Sequence, residues 1–153
     1  MTDIPSGQLL LMQCMKSWPE YEYGEGSEAA TDLQELIDCA PWTSTRQLNS
    51  KSMLLYLASP EIFKNLVLLF IGFYLKTPDT GSRFASSIVF CLSEENAPLL
   101  LSDFSEKELL KLHYWLSFVT CETKLPPTLN YHNMATVYKN IFDALNQKQT
   151  FVV

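Results

Sequence analysis

The stretch from Pro60 to Pro78, PEIFKNLVLLFIGFYLKTP, constrains the fold more than any other, because it is the most apolar part of the chain. Its uninterrupted apolar run extends from Leu66 to Leu75. A helix needs about 20 predominantly apolar residues to cross a bilayer, and this run is half that length. The sequence therefore predicts a helix in the core of the protein rather than a transmembrane segment.

The few polar residues of this stretch fall on one side of the predicted helix. Glu61, Asn65, Gly72 and Lys76 lie within roughly 60° of one another around a helical wheel, so a narrow polar stripe interrupts an otherwise apolar cylinder. Such a pattern is typical of a helix in the middle of a bundle. Gly72 lies beside Leu68 on this stripe, and the missing side chain lets another backbone approach closely. Leu68 and Gly72 are therefore predicted either to pack closely within the fold or to form a second contact face for a partner.

Both ends of the predicted helix carry local signals. Ser59 is suited to cap the first turn, and Pro60 is suited to the first helical position. Lys76 complements the negative end of the helix before Thr77 and Pro78 stop it. The expected bounds are Pro60 and Lys76.

Other stretches also read as helices. Thr31 with Gln34 and Ser105 with Glu108 have the spacing of capping boxes ahead of apolar positions that recur every three to four residues. After Ser105 the periodic positions, expected to be buried, are Leu109, Leu112, Leu116 and Val119. The same periodicity recurs near the C-terminus at Met134, Val137, Tyr138, Ile141 and Leu145. Weaker helical patterns occur in GQLLLMQCMKSW and SKSMLLYLA. FASSIVFCL fits a buried helix or a strand, and helix is favoured because no second strand-like run exists to pair with it. We expect one all-α domain over residues 1–153, a compact bundle or short stack of about six to seven amphipathic helices around the apolar helix.

Cysteine usage bears on the cellular compartment. Cys14, Cys39, Cys91 and Cys121 are far apart and include no C-x-x-C pair, which argues against a disulfide framework and a zinc site. They are expected to be free and mostly buried thiols. The N-terminus lacks the basic region and the long apolar core of a secretory signal. An intracellular protein, cytoplasmic or nuclear, is the expectation.

Motifs for catalysis or cofactor binding are not found in the sequence. Neither histidine, His113 or His132, has metal-ligand spacing, and His113 points roughly 80° away from Cys121 on a helical wheel. The glycines of GEGSEA are surrounded by acids, which repel phosphate. The expectation is a non-enzymatic protein without catalytic residues, cofactor or metal.

Negative charge is concentrated in one segment. Between Lys16 and Arg46 the chain has no basic residue but seven acidic ones: Glu20, Glu22, Glu25, Glu28, Asp32, Glu35 and Asp38. Of the 17 acidic residues, 17 − 7 = 10 remain elsewhere, against 11 basic ones, so the seven account for the net charge of −6. The remainder of the chain is nearly neutral.

Aromatic residues are interleaved with acids in part of this segment, an expected loop at about residues 18–30. One interpretation is a solvated loop that charge keeps soluble. The other is a contact surface, since aromatic residues anchor protein interfaces and acidic residues attract a basic partner. The candidate partner-binding residues are Trp18, Glu20, Tyr21, Glu22, Tyr23, Glu25 and Glu28. Direct binding to nucleic acid or to a membrane surface is disfavoured, because basic residues are few and scattered.

The expected function is protein–protein interaction, as a scaffold or adaptor domain of an intracellular complex whose partner has a basic surface. An alternative is an acidic inhibitor or regulator that occupies a basic nucleic-acid-binding site on its target. A further alternative is a Bcl-2-like regulator of cell death, since those proteins also contain one very apolar central helix. That alternative rests on analogy of fold alone, because the sequence lacks the family's diagnostic motifs.

Overall fold

The computed structural model describes residues 8, 9, 11–13, 28–78, 82–122 and 131–149. Within these ranges the chain is helical and contains no strand. Residues 8, 9 and 11–13 are helical, and eight further helices follow: α1 (Glu28–Asp38), α2 (Thr45–Asn49), α3 (Leu54–Leu57), α4 (Pro60–Lys76), α5 (Arg83–Ser93), α6 (Ala97–Leu101), α7 (Glu106–Glu122) and α8 (Tyr131–Gln149). The prediction of an all-α fold is confirmed, and the ambiguous run FASSIVFCL lies in a helix, α5.

The predicted bounds of α4 are confirmed together with their local chemistry. The Ser59 hydroxyl oxygen accepts a hydrogen bond from the backbone N–H of Ile62 at 3.4 Å, and Pro60 occupies the first turn. At the other end the backbone N–H of Thr77 donates to the carbonyl of Phe73 at 3.0 Å. These bonds involve groups within four residues of each other, so the sequence determines them without tertiary packing.

The buried face of α4 is narrower than predicted. Phe63, Val67 and Phe70 have no exposed surface and contribute to the core. Leu69 and Phe73, which lie outside the predicted polar stripe, are partly buried and pack against the core. Helix α4 therefore contacts α2, α6 and α7 with its buried face, and its other apolar residues are partly covered.

The core is formed by the apolar faces of the longer helices. Helix α8 packs against α5 and α7, and α5 also contacts α3. The predicted stripe of α7 is buried, namely Leu109, Leu112, Leu116 and Val119, and the wholly buried Trp115 extends it. On α8 four of the five predicted positions are buried as well, namely Met134, Val137, Ile141 and Leu145, whereas Tyr138 is half-buried. Helical periodicity thus located the core side of both helices.

The two predicted capping boxes had different outcomes. At α7 the backbone N–H of Ser105 donates to Glu108 Oε1 at 2.9 Å, and the N–H of Glu108 donates to Ser105 Oγ at 3.2 Å, which confirms the box. The box at Thr31 is wrong, because α1 begins three residues earlier, at Glu28. Gln34 instead donates one helical turn forward to Asp38 Oδ1 at 2.8 Å. The end of the predicted acidic loop, residues 28–30, is therefore helical.

Two short helices, α2 and α6, were not predicted. Each is five residues long, too short for helical periodicity to be recognised in the sequence. None of the helices in the described ranges combines the length and apolar character that crossing a bilayer requires.

Candidate functional site

The acidic contact surface predicted from sequence falls almost wholly outside the described residues. The residues outside the described part of the chain are Trp18, Glu20, Tyr21, Glu22, Tyr23 and Glu25. Glu28 is described and is the first residue of α1. Their role as a partner surface stays a prediction.

Two further acids of this segment are engaged within the protein. Lys51, in the turn between α2 and α3, donates to Asp32 Oδ1 at 3.3 Å and to Glu35 Oε2. The hydrogen bond with Glu35 is the main cause that raises the pKa of Lys51 above its ordinary value, while partial burial opposes the rise. The negative charge available to a partner is therefore smaller on α1 than the sequence suggests.

The second predicted contact face, around Leu68 and Gly72, is open. Both residues are half-buried, and a Cβ atom placed on Gly72 would meet no described atom within 4 Å. The prediction of close packing against Gly72 inside the fold is therefore wrong for the described part of the chain. The prediction of a partner contact at this face stays untested.

A cleft with two exposed aromatic residues lies where α3, α5 and α6 meet. Tyr56 on α3 is 42% exposed and Phe90 on α5 is 47% exposed, and their rings form an edge-to-face pair with centroids 5.7 Å apart. Tyr56 is held in place because its hydroxyl group lies 3.2 Å from Ser87 Oγ. The cleft has a volume of about 170 Å³ and is lined by Leu55, Tyr56, Ala58, Phe90, Cys91, Glu94, Asn96 and Leu100. We call it the Tyr56–Phe90 cleft.

The electrostatic character of this cleft is acidic. Glu94, the first residue after α5, lines the cleft together with Phe90. It is exposed, and so is the adjacent Glu95. No basic residue is among the lining residues. Burial, and secondarily the charge of Glu94, raises the pKa of the Cys91 thiol to about 12. Cys91 therefore remains a thiol at neutral pH and is a poor nucleophile.

The cysteine predictions are only partly right. Cys91 is free and buried, as expected, but Cys39 is free and exposed, with its thiol donating to the carbonyl of Leu36 at 3.1 Å. Cys39 lies in the turn that follows the end of α1, and the apolar pattern of the sequence does not show that this position is exposed. Cys14 lies outside the described residues, and Cys121 belongs to α7.

A larger cleft, of about 230 Å³, lies between α6 and α8. Its polar residues have partners within the fold: Lys148 Nζ donates to the Ser102 carbonyl at 3.1 Å, Asn140 Nδ2 donates to the Leu92 carbonyl at 2.8 Å, and Asp143 pairs with Lys139. No exposed aromatic residue lines it. These bonds hold helices together and leave few polar groups to orient a ligand.

Among the described residues, no group of three or more histidine, cysteine or acidic side chains is placed to bind a metal ion. His113 packs its ring against Tyr138 and Phe142, with centroid distances of 5.5 and 5.4 Å. Sequence reasoning did not single out Tyr56 or Phe90, because aromatic residues in short apolar runs are usually buried. Only the packing of α3 against α5 shows that they face solvent.

Comparison with known proteins provides no template for this cleft. Family models, curated proteins and solved structures were each compared with the chain, and none of the three comparisons found a match. A functional proposal must therefore rest on the surface chemistry of the chain itself.

Proposed function

We propose that this chain is a non-enzymatic protein–protein interaction domain that works inside the cell and binds a partner with a basic surface. The observation that carries the proposal is the Tyr56–Phe90 pair, which leaves two aromatic rings nearly half exposed at the edge of an acidic cleft. The free thiols of Cys39 and Cys91 support a reducing compartment, cytoplasm or nucleus.

The size of the cleft favours a protein partner over a small molecule. Pockets for cofactors and drug-sized ligands usually have volumes of about 300 to 1,000 Å³, whereas this cleft has about 170 Å³. A space of that size suits one side chain of a partner. Tyrosine is enriched among the residues that dominate binding at protein interfaces, and it loses little conformational freedom when it is covered.

The charges around the cleft favour a basic partner. An arginine or lysine can stack on the face of Tyr56 or Phe90 while its charge lies near Glu94. Helix α1 packs against α3, which carries Tyr56. In sequence, the predicted acidic segment directly precedes α1.

The proposal is tested by crosslinking from inside the cleft. A photo-crosslinking amino acid replaces Tyr56 in one version of the full chain and Tyr114, an exposed tyrosine on α7, in another. A partner captured from position 56 and not from position 114 is then purified, and its affinity is measured at two salt concentrations. The partner's contact region should be rich in lysine and arginine.

Two sets of substitutions should affect this partner differently. Tyr56→Ala should speed dissociation by about 10-fold or more if the ring is an anchor. Glu94→Lys with Glu95→Lys should slow association and weaken its salt dependence, because long-range attraction is screened over about 10 Å at 0.1 M salt. Tyr114→Ala is the matched control and should change neither rate. If all variants fold and bind like the unmodified chain, the cleft is not the interface.

The acidic segment is tested against the same partner. Reversing Glu22, Glu25 and Glu28 to lysine should slow association, and Trp18→Ala should speed dissociation, if this segment extends the contact surface. If neither set changes binding, the segment is a solvated linker, and the proposal then rests on the cleft alone.

A further inference from the structure

A second exposed aromatic surface lies on α7 and α8. Leu110 and Tyr114 on α7 are 52% and 61% exposed, and Phe142 on α8 is 51% exposed. Leu110 and Tyr114 are neighbours because they are four residues apart on one helix. His113 joins them to α8, since its ring lies 5.4 Å from that of Phe142 and 5.5 Å from that of Tyr138. We call these five residues the α7/α8 surface.

The helices beneath this surface are well anchored. On the opposite side of α7, Leu112 and Leu116 are buried in the core, as are Val137 and Ile141 on α8. The hydroxyl groups of Tyr138 and Ser117 lie 3.4 Å apart and connect the two helices. The exposed rings are therefore carried on a packed helix pair, and covering them costs little backbone entropy.

The uncompensated charge next to this surface is positive. Lys107 and Lys111 are exposed, and each lies three residues from Leu110 or Tyr114, which makes them neighbours on the helix surface. Neither lysine forms an ion pair with any residue that the structure describes. Of the other charges near the surface, Lys139 pairs with Asp143 at 3.5 Å, and the single acid Glu106 leaves the two lysines in excess.

We infer that the α7/α8 surface binds an acidic segment with bulky apolar side chains, supplied by a separate partner protein. Leu110, Tyr114 and Phe142 would cover the apolar side chains, and Lys107 and Lys111 would attract the acids and fix the register. The Tyr56–Phe90 cleft has the opposite charge and lies on other helices. A chain that carries both the Tyr56–Phe90 cleft and the α7/α8 surface can connect a basic protein to an acidic one, as an adaptor does.

The test uses a probe of that chemistry and the full chain. The probe is a fluorescein-labelled synthetic peptide that interleaves glutamate with leucine and tryptophan. Its control peptide has glutamine in place of every glutamate. Binding is followed by fluorescence anisotropy at low and at physiological salt. The glutamate peptide should bind about 10-fold more tightly than the glutamine peptide at low salt, and the difference should shrink as salt is added.

Substitutions locate the bound peptide. Lys107→Glu with Lys111→Glu should weaken binding of the glutamate peptide by about 10-fold or more and leave the glutamine peptide nearly unaffected. Tyr114→Ala should weaken both peptides. Leu99→Ala is the matched control, and it should leave both affinities unchanged because Leu99 is 61% exposed on α6 and belongs to neither candidate surface. All three variants alter exposed residues, and circular dichroism and thermal unfolding confirm that they remain folded.

Several outcomes would overturn the inference. Equal affinity for the two peptides, or binding that the lysine reversals do not change, would show that the surface does not select acidic segments. Tighter binding of a single-stranded oligonucleotide, sensitive to the same reversals, would make it a nucleic-acid contact. Sedimentation that shows self-association of the chain, lost on the same reversals, would assign the surface to a second copy.

Discussion

Two buried tryptophans differ in how their indole N–H groups are satisfied. Trp42 donates from Nε1 to the carbonyl of Leu36 at 2.7 Å. Trp115 is fully buried against the rings of Phe70 and Tyr74, with centroids 6.0 and 5.9 Å away, and its Nε1 has no acceptor among the described residues. An unsatisfied buried donor costs about 1–3 kcal/mol. The packing of the aromatic core offsets this cost at Trp115.

This difference predicts unequal responses to the same substitution. Trp115→Phe removes the unsatisfied donor as well as part of the ring, and these effects oppose each other, so the free energy of unfolding should change by less than about 1 kcal/mol. Trp42→Phe removes packing together with a satisfied hydrogen bond and should cost about 2–3 kcal/mol. Urea unfolding of both variants measures the difference. Equal losses would mean that the two indole groups are equally well paired in solution.

At the level of the element, α4 has two contrasting faces. Phe70 is wholly buried, and its ring lies 4.8 Å from that of Phe84 on α5. Leu69, one residue earlier, is only half-buried. Adjacent positions on a helix point about 100° apart, so the two residues report on different faces.

We therefore expect unequal costs from truncating these neighbours. Phe70→Ala should destabilise the protein by about 3–5 kcal/mol, through lost burial and an unfilled cavity. Leu69→Ala should cost about 1–2 kcal/mol, because its side chain is partly exposed and its removal leaves a smaller cavity. Urea unfolding again gives both values. A loss at Leu69 as large as that at Phe70 would show that this face is covered in solution, for example by self-association, which a dependence on protein concentration would reveal.

At the level of the whole molecule, the N-terminal part is attached to the body by contacts between residues far apart in sequence. Gln8 exchanges two hydrogen bonds with the backbone of Trp42, at 2.9 and 2.8 Å. Lys51, whose side chain is 14% exposed, binds Asp32 and Glu35 of α1. The orientation of α1 depends on these few polar contacts as well as on burial of Leu33 and Leu36.

The Lys51 interaction predicts a specific pH dependence. Because folding raises the pKa of Lys51, the ammonium group stabilises the folded state at pH values below its ordinary pKa of 10.5, and this contribution is lost as pH rises through the folded pKa. Lys51→Met should lower the free energy of unfolding by about 1 kcal/mol at pH 8, given that the acidic partners are partly exposed. The difference from the unmodified chain should vanish at sufficiently alkaline pH.

Urea unfolding at a series of pH values from neutral to strongly alkaline measures this difference. Lys139→Met is the control, because its pair with Asp143 is exposed on both sides and should contribute little. A Lys51→Met difference that persists or grows at alkaline pH would contradict the assignment.

The sequence anticipated the fold better than the candidate sites. The cap of α4 at Ser59 and the capping box at Ser105 were predicted correctly, because each depends on hydrogen bonds between residues three apart. The predicted cap at Thr31 was wrong, because α1 begins at Glu28. The sequence pattern of a capping box is the same inside a helix as at its start, so it does not by itself show where the helix begins. The Tyr56–Phe90 cleft and the α7/α8 surface were not anticipated at all.

Local interactions and helical periodicity were enough to determine that this chain is all-α, where α4 begins and ends, and which sides of α7 and α8 are buried. These properties depend on the order of neighbouring residues, which the sequence contains directly. Tertiary structure alone decided which apolar side chains stay exposed, that Lys51 neutralises part of α1, and that nothing described packs on Gly72. Those properties depend on which helix lies against which face, and that choice is made by packing the whole core at once.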